Sequence, residues 1–422
     1  MIVAGTENSN KCAIDTGWWE PLAGKRIYIK TYGCRYNFGD TANLVEVLKQ
    51  KGSILVDTVN EADAVIINTC TVVGATERRM LRRLAQLQDK NLYVTGCMPM
   101  VQREVIFAIC TPTIIPPDTI RATYRGVGTV ACGGVGIVQI AQGCLGRCSY
   151  CITRTARGPL ASFPAAEIVK KVGAFIRAGT PEIQLTAQDT SAWGQDTGRN
   201  LPELLAEIGG LPGHFRIRVG MMNPATVKGI LTPLVDAYAS DHIFRFVHLP
   251  VQSGSNRILQ RMGRGYTVAD FETIVAAFRK KYPGITISTD MIVGFPGETD
   301  EDFSRSNELI ERLRPNKVNV TRYSMRPFTG PFAEKDFPDS VKKERSRILN
   351  AHAEKIYAEI NAPCLNRVVP FVVTESLRSG SVLARTPTYT GVVINEELPW
   401  GYTGQAVLKK DRKYFFIGER VF

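Results

Sequence analysis

The feature that most constrains the fold is an alternation. Between Gly136 and Met325 six short β-like runs, "GIVQIAQG", "EIQLTAQD", "RIRVGMM", "FRFVHLPV", "ITISTDMIVGF" and "VNVTRYSM", are separated by segments of helical period such as "AAEIVKKVGAFIRAG" and "TVADFETIVAAFRKKYPG". β-rich runs of strand length that keep alternating with amphipathic helices predict parallel strands with helices outside, here a barrel or partial (β/α)6 barrel. In such barrels the chemistry sits at the strands' C-terminal ends.

A second alternating region precedes it. "RIYIKTYG", "DAVIINTC" and "NLYVTGC" read as strands, "DTANLVEVLKQKG" as a helix opened by Asp40 and closed by Gly52, and "TERRMLRRLAQLQDK" as another helix. That order predicts an N-terminal parallel-sheet α/β domain. After Pro363 the character changes to short β runs, "VVPFVVTESL", "SVLARTPTYTGVVI", "GQAVLKK" and "KYFFIGERV", the pattern of a small antiparallel β-barrel close in size to oligonucleotide-binding barrels. The expected fold class is therefore α/β with three parts. Its divisions are a loosely ordered lead-in (1–24), the α/β domain (25–110), a Pro/Gly/Thr-rich linker (111–135), the central barrel (136–360) and the C-terminal β-barrel (361–422).

The chain has no run of about eighteen apolar residues and no signal-peptide pattern at its N-terminus, so neither a membrane partner nor export is expected. Ten cysteines without a leader favour a reducing, cytoplasmic setting, where thiols serve metals or catalysis. A formal charge of +12 fits a polyanionic partner, and it also fits simple solubility.

The cysteines are the sharpest local signal. Cys34, Cys70 and Cys97 each end one of three successive predicted strands, so their thiolates can converge on the sheet edge where open α/β sheets bind ligands. Gly33 and Gly96 precede two of them and let the backbone turn closely around something bulky. Taken singly, each cysteine also reads as a buried core thiol. Cys144, Cys148 and Cys151 form a tighter set, C-x3-C-x2-C. A ferredoxin run has four cysteines, and here Thr155 stands where the fourth is expected. A tetrahedral structural zinc also needs a fourth ligand, and none of His214, His242, His248 and His352 adjoins the triplet. Three thiolates on a [4Fe–4S] cube leave one iron open, the position where a reactant binds.

"CLGRCSYC" resembles the radical S-adenosylmethionine signature, with Tyr150 at the aromatic position that lies near the adenine. "TYGCRYN", "NTCTV", "GCMP", "HLPVQSGS" and "TDMIVGFPGETDEDF" extend the likeness along nearly the whole chain to the methylthiotransferase family. Within it, "CITRTARGPLASFP", "TAQDTSAWGQD" and "RVGMMNP" look most like the archaeal and eukaryotic enzymes acting on tRNA. "RPFTGPFA" and "CRYN" depart from the more usual wording of two motifs.

The resemblance implies two [4Fe–4S] clusters, on Cys34/Cys70/Cys97 and on Cys144/Cys148/Cys151, together with S-adenosylmethionine and a C-terminal TRAM-like barrel. It implies cleavage of S-adenosylmethionine to a 5′-deoxyadenosyl radical at the second triad, and donation of methylated sulfur from the first. The implied substrate is N6-threonylcarbamoyladenosine beside the anticodon, converted to its 2-methylthio derivative. An unactivated C–H bond demands this kind of cofactor chemistry. The partners implied are tRNA, an electron donor of the ferredoxin or flavodoxin type, and a sulfur source. By the same resemblance Gln188, Asp290 and Gly294 contact the cofactor, with Gly294 giving room for the adenine. Gln252 and Ser253 have similar standing, and all five also fit ordinary turn and barrel packing. Glu298 in "FPGE" reads as the first turn of the next helix.

For RNA, Arg78, Arg79, Arg82 and Arg83 fall on one face of a predicted helix just after Cys70, with Leu81, Leu84 and Leu87 packing inward on another. That face reads as a solvated surface or as a phosphate-contacting stripe. Lys409, Lys410, Arg412 and Lys413 surround one turn of the C-terminal barrel, with Tyr414 and Phe415 following, at least one of them in the core. Cys12, Cys110, Cys132 and Cys364 are read as non-ligands. The rival functions are the same chemistry on another tRNA adenosine or a ribosomal protein side chain, a non-catalytic electron carrier, and an RNA-binding protein. The first rival differs only in substrate; the last two leave open iron positions or six matched cysteines unexplained.

Overall fold

Burial on both faces explains the wording of the first sheet. In the computed structural model, which describes residues 17–72, 74–124, 134–327, 329, 336–377 and 380–421, strands β1 (Arg26–Thr31), β2 (Ile54–Leu55), β3 (Ala64–Thr69), β4 (Leu92–Gly96) and β5 (Thr113–Ile114) pair in parallel in the order β2-β1-β3-β4-β5. β3 and β4 are buried throughout, because helix Arg35–Gln50 covers one face through Leu44, Val47 and Leu48, and helix Gly74–Ala85 covers the other through Met80 and Leu84.

Two boundaries differ from expectation. Helix Arg35–Gln50 starts with Cys34 at its N-cap, so Asp40 lies inside it, buried against Arg157 of the central barrel. A long-range ion pair, not a cap, occupies that carboxylate. Gly52 does lie just past the helix end with φ +79°. Residues 111–124, expected as a linker, instead add β5 to the sheet and helix Pro117–Thr123 to its core, where Ile115 and Ile120 are buried beside Trp18 and Leu22 of the lead-in. Their Pro-rich wording marks a helix start, with Pro116 at the N-cap and Pro117 at the first helical position. Residues 1–16 of the lead-in and 125–133 of the linker, with Cys12 and Cys132, lie outside the described residues, and Val135 already belongs to the first barrel strand.

The central barrel uses β6 (Val135–Gln139), β9 (Glu182–Thr186), β10 (Arg216–Val219), β11 (Phe246–His248), β12 (Thr286–Val293) and β13 (Lys317–Arg322); a small hairpin of β7 (Ala141–Gln142) and β8 (Ala161–Ser162) follows β6. Two parallel three-stranded sheets, β10-β9-β6 and β11-β12-β13, are joined by bridges Ile217–Ile243 and Met221–His248, making a six-stranded partial barrel open between β6 and β13. The outer helices pack through one large apolar core that includes Trp193, Phe175, Phe271 and Phe278. Helices Val268–Lys281 and Asp300–Leu313 each begin with a capping box, Thr267/Asp270 and Thr299/Asp302.

The N-terminal domain closes the open seam from both sides. On β6, Gln139 donates to Asp40 Oδ1 (2.8 Å) and to the Tyr36 carbonyl (3.1 Å). Just past β13, buried Arg326 pairs with Glu77 of helix Gly74–Ala85.

The C-terminal barrel closes in the order β14 (Val368–Ser376), β15 (Val382–Arg385), β16 (Gly391–Ile394), β18 (Phe415–Val421), β17 (Thr403–Asp411). Its pairs are antiparallel except β16 with β18, which run parallel as in an oligonucleotide-binding barrel, so the fully antiparallel expectation is corrected. Tyr414 and Phe415 are both largely exposed, and Phe416 supplies the core aromatic instead. Among the described residues no helix is long and apolar enough to cross a membrane.

Candidate active site

Cys144, Cys148 and Cys151 lie on the loop that leaves β7. Gly143 turns that loop with φ +75°, in a place where any Cβ would collide with the Pro159 carbonyl. Gln188, two residues beyond β9, accepts the Gly143 N–H at 2.8 Å, which pins the loop to the neighbouring strand end. All three cysteines line one cavity of about 460 Å³ with Arg147 and Arg154 at its walls. The Gly146 N–H donates to Cys144 Sγ (3.2 Å), and Arg264 Nη1 donates to Cys148 Sγ (3.1 Å). Arg264 is itself held by Asn223 Oδ1 (3.1 Å) and the Pro250 carbonyl (3.3 Å). Burial, and then the buried Asp189 carboxylate, push the Cys144 thiol up to about 11. A bound cation reverses that preference, since a coordinating thiol is deprotonated outright.

The first triad sits where the strand order brings it. Cys34, Cys70 and Cys97 follow β1, β3 and β4 at one sheet edge; Cys34 is exposed, the other two buried. Gly33 is needed for the approach of its turn to Cys70, since a Cβ there would stand 2.9 Å from Cys70 Sγ. The close approach at both Gly33 and Gly96 is thus to protein, Gly96 meeting the Thr69 backbone and Asn68. Burial raises the Cys70 thiol to about 12, and raises Cys97 against the opposing pull of Arg157.

Arg157 joins the two triads, and sequence reasoning missed it. It ends the short helix Thr153–Arg157 that follows Cys151, yet its guanidinium points into the first triad. Nε donates to Cys97 Sγ (3.3 Å), and Nη2 to Asn37 Oδ1 (3.0 Å) and Asp40 Oδ2 (2.7 Å). Nη1 is buried with no hydrogen-bond partner among the described residues. The same helix packs Ile152 and Ala156 against Cys97 and Val101 in one apolar cluster. Nothing in the spacing signals this, because Asp40 is 117 residues away in the chain.

Both sites fit an iron–sulfur group. Each offers three thiols, a donor aimed at a cysteine sulfur, and either a cavity beside the sulfurs or an unspent N–H. Among the described residues no three cysteine, histidine or carboxylate side chains close around a point as they would for a single ion.

The other expected residues divide. Tyr150 packs edge-on to Phe295 (centroids 6.3 Å) beside the triad loop. Asp290 lies in the middle of β12, not at its end, and accepts from His248 (2.9 Å) and Asn319 (2.7 Å) inside the barrel. Gly294, with φ +71°, faces the Lys342 stem, where a Cβ would lie 2.5 Å from Cγ, so its open side is filled by protein. Glu298 precedes its helix and accepts from Gly294 N (2.7 Å) and Arg345 (2.6 Å), a structural role. Ser253 caps the next turn through Ser255 N (3.1 Å). Gln252 adopts φ +74°, a strained choice for a non-glycine, and its buried Oε1 has no partner among the described residues.

Arg78, Arg79 and Arg82 are exposed, while Arg83 is half-buried and bonds Gln86 (3.1 Å); none of the four pairs with a carboxylate among the described residues. Leu84 and Leu87 are buried and Leu81 is partly so. In the C-terminal turn Lys409 pairs with Glu419 (3.4 Å) and Lys413 with Glu354 (2.9 Å), leaving Lys410 and Arg412 exposed without such partners among the described residues. Cys110 and Cys364 stand apart from both triads, each turned to a helix carbonyl.

Comparison with known proteins places this architecture. Residues 138–310 match the radical SAM superfamily model, and residues 26–114 match a model described as uncharacterized protein family UPF0004. The chain is 41% identical to the "Probable threonylcarbamoyladenosine tRNA methylthiotransferase" of Pyrococcus abyssi, over 93% of this chain and 99% of that one. It is 30% identical to the human "Threonylcarbamoyladenosine tRNA methylthiotransferase", over 94% of this chain and 74% of that one. In fold it resembles the radical S-adenosylmethionine methyltransferase TsrM from Kitasatospora setae (TM-score 0.50, 14% identity, 70% of this chain and 74% of that one).

Proposed function

Because the chain belongs to the threonylcarbamoyladenosine tRNA methylthiotransferases of the radical S-adenosylmethionine superfamily, we propose that it inserts a methylthio group at C2 of N6-threonylcarbamoyladenosine in tRNA, using both cysteine triads. One observation carries the two-triad reading. Cys97 packs on Ile152, the neighbour of Cys151, while Arg157 from that same helix bonds to Cys97, so the two sulfur sets belong to one site.

Cys144, Cys148 and Cys151 would hold the [4Fe–4S] cluster that membership of the superfamily carries, and Cys34, Cys70 and Cys97 a second one. With S-adenosylmethionine these groups supply one-electron chemistry able to activate an inert C–H bond, and the sulfur to replace it. The protein's part is placement and charge. Arg264 and the Gly146 N–H stabilise the thiolates of Cys148 and Cys144, and charge-assisted N–H···S bonds of this kind tune a cluster's potential. Gln188 fixes the loop, Tyr150 and Phe295 wall it, and the unspent Gln252 Oε1 is a contact for a bound donor. Exposed Arg78, Arg79 and Arg82 beside the first triad, with Lys410 and Arg412 on the C-terminal barrel, suit RNA phosphates. A cytoplasmic setting agrees with the eight described cysteines being free thiols.

The deciding measurement is mass spectrometry of tRNA nucleosides. A deletion strain should lose 2-methylthio-N6-threonylcarbamoyladenosine and regain it with the wild-type gene but not with Cys148→Ala or Cys97→Ala. An unchanged nucleoside profile moves the substrate elsewhere. Anaerobic reconstitution should give about eight irons per chain, a content that follows from two [4Fe–4S] groups; about four would remove the first triad's role.

A further inference from the structure

Strand alternation sends every second residue of the central barrel inward. Away from the cysteine-bearing ends, this puts Gln184 of β9, Arg218 of β10, His248 of β11 and Lys317 of β13 around one chamber of about 290 Å³. Arg35, next to Cys34, enters from the N-terminal domain across the open seam, and Arg385 and Lys413 close the chamber from the C-terminal barrel. All three parts of the protein therefore contribute to the lining of one chamber, which opens to solvent.

The charges in it do not balance. Five lining side chains, Arg35, Arg218, Lys317, Arg385 and Lys413, are cationic and no lining residue is anionic. Lys413 has Glu354 (2.9 Å), and Arg385 has Glu375 (3.4 Å) and, behind the wall, the buried Glu182 (3.9 Å). Among the described residues Arg35, Arg218 and Lys317 have no carboxylate within ion-pair distance, and the nearby Asp290 is committed to His248 and Asn319. Arg218 is instead held rigid over the rings of Phe246 (5.1 Å) and Tyr389 (5.9 Å), and Lys317 over Tyr414 (5.7 Å). Arg218 is half-buried while Arg35 and Lys317 are exposed, and like charges gathered around one space repel. The chamber also presents an acceptor. Gln184 is 2% exposed, gives its amide hydrogens to Glu182 (2.6 Å) and Tyr389 (3.0 Å), and leaves Oε1 without a donor.

We propose that this chamber is an oxyanion site in which Arg218, Lys317 and Arg35 hold a phosphate or carboxylate group and Gln184 Oε1 accepts from a hydroxyl or N–H carried by the same ligand, the P–OH in the case of phosphate. None of the six triad cysteines lines it, although Arg35 brings its wall beside Cys34 of the first triad. From Ser288 on its wall to Val293 at the strand's C-terminal end is five residue steps of β12, about 17 Å of strand. An acidic group can reach it as a free anion or, if the substrate assigned above is right, as the carboxylate on the side arm of the modified adenosine.

Titration calorimetry on the full chain tests both sources. Inorganic phosphate should bind the wild type, and Lys317→Met and Arg218→Met should each weaken binding at least about tenfold, the loss of one charge-assisted contact. Lys228→Met, which removes an exposed cation elsewhere, should leave the affinity unchanged. If free threonylcarbamoyladenosine displaces phosphate while adenosine does not, the anion is the substrate's side arm. If neither displaces it, the site takes a free anion and stands whatever the substrate proves to be. Absence of phosphate binding at millimolar concentration, or equal binding by the wild type and both methionine variants, overturns the proposal. Thermal stability gives a readout independent of a variant's yield. Without phosphate, Lys317→Gln should melt no lower than the wild type because a repulsion is removed, and added phosphate should raise the melting temperature of the wild type alone; a variant that melts lower without phosphate, or gains as much from it, refutes the site.

Discussion

Replacing Arg157 by methionine keeps the apolar stem and removes the guanidinium. The side chains of Arg157 and Asp40 are 1% and 9% exposed, so the change strands a buried carboxylate whose remaining side-chain donor is Gln139 (2.8 Å). It also takes the donors from Asn37 Oδ1 and Cys97 Sγ. Breaking a buried pair from one side costs about 3–5 kcal/mol, because the partner's desolvation is no longer offset. Removing the stranded charge as well should recover much of this, so Arg157→Met with Asp40→Asn should lose only about 1–2 kcal/mol, a recovery of at least about 1 kcal/mol over the single variant. Hydrogen exchange of amides in helix Arg35–Gln50, which carries Asn37 and Asp40, reads the local loss. Iron content measured in a Cys148→Ala background reads the first triad alone, and it should fall in the single variant more than in the double. Protection unchanged within about 0.5 kcal/mol, or a double variant no better than the single, would mean that Arg157 does not hold the two domains together as its contacts require.

Two further outcomes follow from charges in the same framework. Burial pushes the Lys171 ammonium down to about 8, with Asn43 (2.7 Å) and the face of Tyr124 as its contacts. Its folded value lies below its unfolded one, so charging the folded state opposes stability as pH falls below about 10. Lys171→Met should therefore stabilise the protein by about 1–3 kcal/mol at pH 7 in urea unfolding, with the gain gone above about pH 10; a pH-independent difference would refute this. Burial alone would raise Asp302, but its bonds from Arg257, Ser255 and Thr299 outweigh that and hold it well below the usual carboxylate range. The stability it adds is present above about pH 4 and is lost as pH falls below that. Asp302→Asn should cost about 1–2 kcal/mol at pH 7, and the two proteins should converge in acid unfolding; parallel curves down to low pH would contradict it.

Much of the architecture was legible because it repeats. Strand length and helical period recur six times in the barrel, and burial on both faces leaves near-continuous apolar runs such as "AVIINT" in β3, so the elements could be read without contacts. The two cysteine sets were legible because each follows a strand end. The parallel closure of β16 on β18, and the start of helix Arg35–Gln50 at Cys34, were not, since each depends on which distant segment arrives alongside.

The chain by itself determined the alternating elements, the three-part order and the six cysteine positions, because these are set by local periodicity and by residue type. Only the tertiary structure decided that Asp40 meets Arg157, that Gly294 faces Lys342, and that cations from all three parts share one chamber. A buried charge is satisfied by whatever folding brings to it, and a sequence records the charge but not its neighbour.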